Sequence, residues 1–267
     1  MELFSLKNKT AVVTGALGLI GKEHCKALSE AGANVVAADI DGSKCSEFAK
    51  TLSTVSIGVS LDVTKKDSIQ NLRNNVLKRF GHIDVLVNNA AINDKFEDPK
   101  AETEQSKFEN YPLELWQRSI DVNLTGVFLC SQIIGTEMAK QKSGSIINIA
   151  STYGITAPDQ SLYINKDGTQ SFYKPPAYSA TKGAVIMFTK YLAAYWGKDG
   201  VRVNTLTPGG VEYNQDEFFI GKYSSKTPLG RMAKPSDYKG ALIFLASDAS
   251  SYMTGANLIV DGGWTCW

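Results

Sequence analysis

The sequence predicts one doubly wound α/β domain over residues 1–267, with a parallel sheet of about seven strands and helices on both faces. Its strand-like runs are apolar throughout, which is typical of strands that are covered on both sides. These runs alternate with longer segments of helical periodicity, as expected when crossover helices connect parallel strands. No repeat, low-complexity tract or linker divides the chain.

The predicted elements follow one another in a regular order. Apolar runs indicate strands at 10–14, 34–39, 55–63, 83–91, 144–151, 201–209 and 257–263. Helical patterns lie between them at 19–32, 43–52, 65–81, 112–140 and 177–198, and Gly32 ends the first helix. Two further segments, 92–112 and 154–176, fit neither pattern, and we expect loops there. Both follow strands at the sheet edge where such folds bind ligands, and long loops there are often functional.

The composition excludes several classes of protein. Hydrophobic residues make up 43% and charged residues 21% of the chain, and the net charge of +1 gives no reason to expect binding to nucleic acid or an anionic membrane. The N-terminus lacks the layout of a signal peptide, and no apolar run is long enough to span a membrane. The cysteines are scattered without a C-x-x-C pair. We therefore expect neither a metal site nor a disulfide framework, and a reducing cytoplasm is the simplest location.

The stretch TGALGLIG (14–21) joins the first predicted strand to the first helix. Gly15, Gly18 and Gly21 allow a tight turn and the close approach of a phosphate, and the N-terminus of the helix favours the anion. Asp39 ends the second strand, where a carboxylate can accept hydrogen bonds from the ribose hydroxyls of an adenosine. The glycines alone would fit any tight strand–helix turn, but the combination predicts a Rossmann fold that binds a dinucleotide.

Asp39 also bears on which dinucleotide binds. A carboxylate accepts a hydrogen bond from a free 2′-hydroxyl and repels a 2′-phosphate. No Arg or Lys lies between Gly15 and Gly21, and none directly follows Asp39. We therefore expect NAD rather than NADP, with the reservation that Lys22 follows the loop on a helix face that should point to solvent.

A series of short motifs runs along essentially the whole chain. After the glycine loop come LDV (61–63), NNAA (88–91), DVNLTGVF (121–128), GSIINIAS (144–151), YSATK (178–182), RVNTLTPGGV (202–211), TPLGRM (227–232) and VDGG (260–263). Each alone is of modest specificity, but their order and spacing together are highly specific. In this the sequence resembles the short-chain dehydrogenase/reductase family, which implies an NAD(P)-dependent oxidoreductase.

The resemblance implies four catalytic residues. The tyrosine of the family's Y-x-x-x-K motif is the general acid/base, and here it is Tyr178. Because positions i and i+4 lie on one helix face, Lys182 can hold its charge near the phenol and reach the nicotinamide ribose. A nearby cation is expected to lower the phenol pKa from its usual ~10. Ser151 matches the residue that bonds the substrate oxygen, and Asn123 matches the one that holds a water behind the lysine.

Neighbouring residues compete for two of these roles. Tyr153 and Tyr173 lie close to Tyr178 in sequence, but neither has a lysine four residues further on. Ser145 and Thr152 are alternatives to Ser151, whose position at the end of a strand favours it.

The same resemblance implies a set of cofactor-binding residues. Asp62 and Val63 should approach the adenine, and Asn89 and Ala90 should pass beside the adenosine ribose. A third group should lie against the nicotinamide. The full expected set is Gly15, Gly18, Leu19, Ile20, Gly21, Asp39, Asp62, Val63, Asn89, Ala90, Tyr178, Lys182, Pro208, Gly209 and Val211.

Three positions depart from the family pattern. The middle glycine of the loop is Gly18, a spacing that resembles the extended branch with its sugar-nucleotide epimerases and dehydratases. Against that branch, the chain ends soon after VDGG, which leaves no room for a substantial C-terminal substrate domain. Ala91 stands where glycine is usual, and Tyr213 stands where a threonine often bonds the nicotinamide amide.

The interval between Ser151 and Tyr178 is longer than the family usually has, and the extra residues are 154–176. This segment offers aromatic walls and polar groups that suit a sugar-like or phosphorylated polyol, although a packed surface loop would also fit. The residues concerned are Tyr163, Phe172, Tyr173, Asp159, Asn165, Lys166 and Lys174. STYGITAPD, AYSATKG and DGGW are also similar to oxidoreductases of bacterial flagellin-glycosylation and nonulosonate-sugar pathways, while gluconate-type and acyl-carrier ketoreductases are other relatives to consider.

The sequence thus predicts an NAD-dependent oxidoreductase that interconverts a secondary alcohol and a ketone on a small polar substrate, with Tyr178 as acid/base. The alternatives are an epimerase or dehydratase that retains its NAD, and a non-catalytic dinucleotide sensor. The helical stretch 183–196 is apolar around much of its circumference, which predicts a homo-tetramer or homo-dimer. The aromatic tail, 264–267, could join a second contact.

Overall fold

The computed structural model of the protein describes residues 2–93 and 99–267. Its strands are β1 Thr10–Thr14, β2 Asn34–Asp39, β3 Ile57–Ser60, β4 Val85–Asn88, β5 Gly144–Ile149, β6 Val201–Pro208 and β7 Asn257–Val260. They form one parallel seven-stranded sheet in the order β3-β2-β1-β4-β5-β6-β7. The predicted fold is confirmed, and β1 and β2 have the bounds that the sequence predicts.

The helices are α1 Leu19–Glu30, α2 Gly42–Ala49, α3 Lys66–Phe80, α4 Pro99–Ser106, α5 Leu113–Ile120, α6 Gly126–Gln141, α7 Pro176–Trp196, α8 Glu217–Ser225 and α9 Lys239–Ala246. A π-helical turn, Asp121–Thr125, joins α5 to α6, so the helix predicted at 112–140 contains an irregularity in its middle. The sequence prediction missed α8 and α9. It was also wrong to expect only loop at 92–112, since α4 lies there, while 94–98 fall outside the described residues.

The strand order creates a cleft at the carboxyl end of the sheet. From β1 the chain first builds β2 and β3 to one side, and then crosses over to build β4 through β7 on the other. The connections after β1 and β4 therefore leave in opposite directions, which is the point where open α/β sheets bind ligands. The ends of β1 to β6 and the segments that follow them reach this edge, and they include the predicted site residues.

Two apolar layers cover the sheet, because successive strand residues point to opposite faces. Val12 packs with residues of α3, α6 and α7, whereas its neighbours Ala11 and Val13 pack with residues of α1 and α9. All five residues of β1 are buried, as expected for a central strand with helices on both sides. This sandwich holds the carboxyl ends of the strands in fixed relative positions.

A third apolar cluster joins the 154–176 segment to the C-terminal part of the chain. Leu162 and Tyr163 of that segment pack with Tyr223 of α8, Met232 and Trp264. The rings of Tyr223 and Trp264 are stacked with centroids 4.1 Å apart. The segment is therefore packed against α8.

The π-helical turn packs against α7, and α8 packs against the 154–176 segment. Within residues 2–93 and 99–267, the structure has no helix that is both long and apolar enough to cross a membrane.

Candidate active site

A cavity of about 1430 Å³ opens at the carboxyl edge of the sheet. It is lined by every predicted cofactor-binding residue except Lys182, and by two of the four predicted catalytic residues, Ser151 and Tyr178. The other two, Lys182 and Asn123, are buried behind its wall. The structure thus brings the sequence-predicted residues together around one space.

The glycine loop fits a phosphate group at the start of α1. Gly15 has a φ of +64°, and a Cβ there would lie 2.7 Å from the Cα of Ala90. A Cβ at Gly21 would lie 2.1 Å from the carbonyl oxygen of Gly15, so the fold itself requires both glycines. Gly18 is less confined, since its nearest neighbour would be 3.3 Å away. Gly18 offers no capping side chain, so the first N–H groups of α1 are left for an anion in the cavity.

Side chains from β1 and β4 fix the shape of this loop. The Thr14 hydroxyl accepts hydrogen bonds from the backbone N–H groups of Asn89 and Ala90, both at 3.0 Å. The Asn89 amide donates to the carbonyl oxygens of Thr14 and Gly15, also at 3.0 Å. The side-chain amide of Asn89 therefore stabilises the glycine loop. The role of Thr14 was not predicted from the sequence.

Asp39, which was expected beside the adenosine ribose, lines the cavity at the end of β2. Its carboxylate accepts hydrogen bonds from the backbone N–H groups of Leu17 at 3.0 Å and Ile40 at 2.8 Å, which fixes its orientation. Ile40 follows it as a largely exposed apolar side chain, and Lys22 is exposed as predicted. Lys65 also lines the cavity, so a cation that the sequence analysis did not consider is present on this side.

The turn after β3 carries Asp62 and Val63, which were expected to approach the adenine, and both line the cavity. The Asp62 carboxylate accepts hydrogen bonds from the Thr64 hydroxyl at 2.6 Å and the Thr64 N–H at 2.9 Å, and these hydrogen bonds lower the pKa of Asp62. A Cβ at Gly126 would lie 2.8 Å from a methyl group of Val63, so Val63 is packed closely against the start of α6.

The Tyr178–Lys182 pair lies at the start of α7. Pro176 occupies the first turn of this helix, where its missing N–H costs no hydrogen bond. Tyr178 lines the cavity and is hydrogen-bonded to Ser151, which follows β5. Lys182 is 3% exposed, and its ammonium donates to the carbonyl oxygen of Ile149 at 2.7 Å. The Lys182 Nζ lies 5.7 Å from the centroid of the Tyr178 ring, so the cation sits behind the phenol.

Burial dominates the acidity of both groups. It raises the pKa of the Tyr178 phenol, and the hydrogen bond with Ser151 acts in the opposite direction without outweighing it. Burial also lowers the pKa of Lys182 to about 8. The sequence-based expectation of a lowered phenol pKa is therefore wrong for the protein alone, because desolvation is the larger effect and the ammonium is bonded to Ile149.

Asn123 lies in the π-helical turn between α5 and α6 and is fully buried. Its side-chain amide donates to the carbonyl oxygen of Ile92 at 2.9 Å, and its side-chain oxygen accepts from the Ile92 N–H at 2.8 Å. The side chain thus fastens the segment after β4. The expected water behind Lys182 therefore stays a prediction, and π-helical turns such as this one are frequent at functional sites.

Lys174, Tyr153 and Tyr223 complete the other end of the cavity. The Tyr223 hydroxyl accepts a hydrogen bond from the Gly210 N–H at 2.7 Å. Tyr223 was not foreseen because α8 was missed. Lys174 is the one residue of 154–176 among the described lining residues, whereas Asp159 is paired with Lys226.

Tyr163, Phe172 and Asn165 of the 154–176 segment contact other side chains of the protein and are not among the described lining residues. Tyr163 is buried with its ring 4.5 Å from that of Phe172, and its hydroxyl is hydrogen-bonded to the Tyr153 hydroxyl at 3.2 Å. The Asn165 amide donates to the Thr169 hydroxyl at 3.2 Å. The expectation that these side chains form walls and handles of the site is therefore corrected for Tyr163, Phe172 and Asn165.

Tyr213 stands at the position that departs from the family pattern, and it lines the cavity as a largely exposed side chain. Close to it, the Gln215 amide donates to the carbonyl oxygen of Val211 at 3.0 Å. The Gln215 side-chain amide in the turn after β6 is therefore already engaged within the chain.

Comparison with known proteins agrees with this geometry. A family model described as enoyl-(acyl carrier protein) reductase matches residues 15–265. The chain is 33% identical to an NAD-dependent glycerol dehydrogenase of Listeria innocua, over 98% of this chain and 96% of the relative. The chain belongs to the short-chain dehydrogenase/reductase family. It is accordingly an oxidoreductase of the kind that acts on CH–OH groups with a nicotinamide coenzyme.

Two solved structures of this family have the same architecture over their whole length. A short-chain type dehydrogenase/reductase from Mycobacterium marinum has a TM-score of 0.85 and 32% identity, covering 100% of this chain and 98% of that one. A gluconate 5-dehydrogenase from Burkholderia cenocepacia, in complex with NADP and tartrate, has a TM-score of 0.85 and 31% identity, covering 99% and 98%. Because one relative is NAD-dependent and another holds NADP, family membership leaves the coenzyme open.

Proposed function

We propose that the protein is an NAD-dependent oxidoreductase that interconverts a secondary alcohol and a ketone on a small polar, sugar-like substrate. The observation that carries this proposal is that Tyr178 and Ser151 line the same cavity as the glycine loop and Asp39. Two polar hydroxyl groups therefore face the space next to a dinucleotide site. Lys182 stands directly behind them.

In this proposal, bound NAD supplies the hydride acceptor. Ser151 orients the substrate hydroxyl by a hydrogen bond, and Tyr178 takes the hydroxyl proton as the ketone forms. In the reverse direction Tyr178 returns that proton to the ketone oxygen. Burial keeps the phenol protonated in the protein alone, which suits donation. Its ionisation in the oxidative direction is favoured by the positive charge of Lys182, whose pKa of about 8 leaves it mostly protonated at neutral pH.

Asp39 supports NAD over NADP. Its carboxylate is held in place by two backbone N–H groups and would meet the 2′-phosphate of NADP as a like charge. Lys65 is the residue that could work against this preference.

The coenzyme preference can be tested without a known substrate, by fluorescence titration with NADH and NADPH. We expect the wild-type protein to bind NADH at least about tenfold more tightly, a difference of about 1.4 kcal/mol, and Asp39→Ser to reduce that ratio by a similar factor. Asp41→Asn is the matched control, because this nearby carboxylate pairs with Lys44 on the exposed surface and is not among the lining residues. Equal or tighter binding of NADPH by the wild-type protein would contradict the preference.

An epimerase or dehydratase that retains its NAD is the second candidate, and the Gly18 spacing favours it. The two functions differ in what they release. A dehydrogenase with added polyols and NAD accumulates NADH, which absorbance detects, whereas the alternative carries NAD through purification and gives no net NADH. A purified protein with stoichiometric NAD and no NADH production from any polyol would favour the alternative.

We also propose that residues 1–267 act as one domain and that the protein is a homo-tetramer or homo-dimer. The supporting observation is an exposed aromatic and apolar stripe on α6 and α7. On α7 the Tyr191 and Tyr195 rings stack 6.0 Å apart, and the exposed Met187 lies one helical turn before Tyr191. Phe128 is exposed on α6. The tail contributes Trp267 to the surface, but Trp264 is buried against Tyr223, so only part of the tail is available for a second contact. A cytoplasmic location and a place in nonulosonate-sugar metabolism are hypotheses that rest on the sequence.

A further inference from the structure

One peptide of the cavity wall lies between two tyrosine hydroxyls. Gly209 and Gly210 line the cavity in the turn that follows β6. The Gly209 carbonyl oxygen accepts a hydrogen bond from the Tyr238 hydroxyl at 3.0 Å, and the Gly210 N–H donates to the Tyr223 hydroxyl at 2.7 Å. Both polar groups of this peptide are therefore bonded to side chains from outside the turn.

Glycine on both sides makes this peptide easier to rotate than one between residues with side chains. The next backbone groups bond to other backbone: the Gly209 N–H donates to the Val260 carbonyl oxygen at 3.0 Å, and the Gly210 carbonyl oxygen accepts from the Ala233 N–H at 2.9 Å. No side chain would fit at Gly210, because a Cβ there would lie 2.5 Å from Cζ of Tyr223. The Tyr223 ring thus fills that space, and its hydroxyl helps to fix the orientation of the peptide.

Tyr223 is itself held by contacts that do not involve the turn. Its side chain is buried, and its ring is stacked on Trp264 with an interplanar angle of 11°. The Phe219 ring lies 6.2 Å away on the same helix, and the Thr227 hydroxyl donates to the Tyr223 carbonyl oxygen at 3.0 Å. Burial raises the pKa of the Tyr223 phenol to about 12, so the hydroxyl stays neutral while it accepts the hydrogen bond from the turn.

We infer that Tyr223 is a positioning residue for the coenzyme, because its hydroxyl holds the Gly209–Gly210 peptide in the orientation in which this turn receives the nicotinamide. The inference rests on the proposed function, which requires the nicotinamide to lie beside Tyr178 in the same cavity. Tyr223 belongs to α8, which packs against the 154–176 segment. Binding of the nicotinamide therefore depends on the contact between α8 and the turn, whereas binding of the adenosine half beside Asp39 does not.

NADH and ADP-ribose test this inference, because ADP-ribose keeps the adenosine and both phosphates of the coenzyme but lacks the nicotinamide. Each is titrated calorimetrically into the wild-type protein and into Tyr223→Phe, which keeps the stacked ring and removes the acceptor for Gly210. We expect Tyr223→Phe to bind NADH about fivefold more weakly, the loss typical of one hydrogen bond, and ADP-ribose within about twofold of the wild type. The emission maximum of bound NADH should shift towards that of free NADH. Without ligand, the Gly210 amide should exchange its hydrogen faster in this variant.

Two further variants make the test specific. Tyr238→Phe removes the donor at the other end of the same peptide and should give the same pattern. Tyr163→Phe is the matched control, because Tyr163 packs in the cluster with Tyr223 and loses a hydrogen bond of 3.2 Å to Tyr153, yet it is not among the described lining residues. It should leave both affinities within about twofold of the wild type.

The inference is overturned if Tyr223→Phe binds NADH as tightly as the wild type, or if NADH and ADP-ribose lose affinity equally. It is also overturned if Tyr163→Phe causes the same selective loss. These outcomes leave the proposed reaction standing. A wild-type protein that binds neither NADH nor ADP-ribose would instead refute the proposed function, and this inference with it.

Discussion

Lys222 on α8 fastens the 154–176 segment, and its replacement by methionine tests whether that segment is a fixed part of the site. The Lys222 ammonium donates to the carbonyl oxygens of Ser161 and Ile164, each at 2.7 Å. Hydrogen bonds to charged groups contribute about 1.5–3 kcal/mol each when well formed. Because Lys222 is half-exposed, we take about 2 kcal/mol for the pair together. Its loss should raise the opening equilibrium of the segment about 30-fold.

Lys226→Met provides the matched control one helical turn away. Lys226 pairs with Asp159, but their side chains are 43% and 36% exposed. Surface ion pairs of this kind contribute about 0.2–1 kcal/mol, so the opening equilibrium should change by no more than about fivefold. Comparison of the two variants therefore distinguishes the effect of the Lys222 hydrogen bonds from that of a surface ion pair at the end of the same helix.

Hydrogen exchange of the segment's own amides is the assay. The N–H of Asn165 donates to the Thr169 carbonyl oxygen at 2.8 Å, and the N–H of Ser171 donates to the Tyr163 carbonyl oxygen at 2.9 Å, so both should be protected in the wild-type protein. Lys222→Met should accelerate their exchange about 30-fold while amides of β1 stay unchanged. Unchanged exchange in Lys222→Met, or equal acceleration in Lys226→Met, would refute the reasoning. Substrate KM should rise only if the opened form becomes a substantial fraction of the protein.

This substitution is a sharper test than removing 154–176. Leu162 and Tyr163 of the segment are buried in the cluster with Tyr223 and Trp264. A deletion would expose those rings, and a loss of activity would then report a damaged α8 as well as a missing segment.

Three further predictions follow from buried groups and from the exposed stripe. Light scattering should show a dimer or tetramer at micromolar concentration, with Tyr191→Arg shifting it towards smaller species, and a wild-type monomer would contradict this. Burial lowers the pKa of His24 from 6.5 to about 4, so its contribution to stability is full above pH 6.5 and is lost as pH falls from 6.5 to 4. This loss amounts to about 3 kcal/mol of the free energy of unfolding and should be absent in His24→Leu. If the same loss persists in His24→Leu, His24 is not its cause. Lys182→Met should lower turnover at least about 100-fold, because it removes the cation behind Tyr178. The unfolding temperature should stay within a few degrees, because the removal of a buried charge offsets the loss of the hydrogen bond to Ile149. A fall of more than about 5 °C would indicate that the lysine is chiefly structural.

The sequence was sufficient for the parts of the fold with a strong local pattern. β1, the glycine loop and β2 are each specified by a short apolar run or by glycines that the backbone itself requires, as at Gly15 and Gly21. That Ser151 and Tyr178 line the cavity could be predicted, because each sits at the end of a strand or the start of a helix within a specific motif. These assignments needed no knowledge of tertiary contacts.

The sequence was insufficient where tertiary contacts decide the structure. α9 consists of KGALIFLA, which is apolar on most sides and shows little of the periodicity that predicts a helix. α8 mixes aromatic and polar residues, and its apolar face is completed by Tyr163 from a distant segment. The polar groups of 154–176 could not be sorted into ligand-facing and structural ones, since Asp159 and Lys174 differ only in what packs next to them. The phenol pKa was misjudged for the same reason, because burial is a property of the folded chain.

Replacement of Tyr178 by phenylalanine tests the central claim most directly, with Tyr153→Phe as its control. Each removes one hydroxyl and keeps the ring. Tyr178 loses its bond with Ser151, and Tyr153 loses its bond of 3.2 Å with Tyr163. The measurement is the rate of NAD-dependent oxidation of a polyol substrate, together with the affinity for NADH. Turnover should fall about 10²–10⁴-fold in Tyr178→Phe and less than about tenfold in Tyr153→Phe, with NADH affinity retained in both. Near-normal turnover in Tyr178→Phe, with Tyr153→Phe inactive and folded, would contradict the assignment of the acid/base.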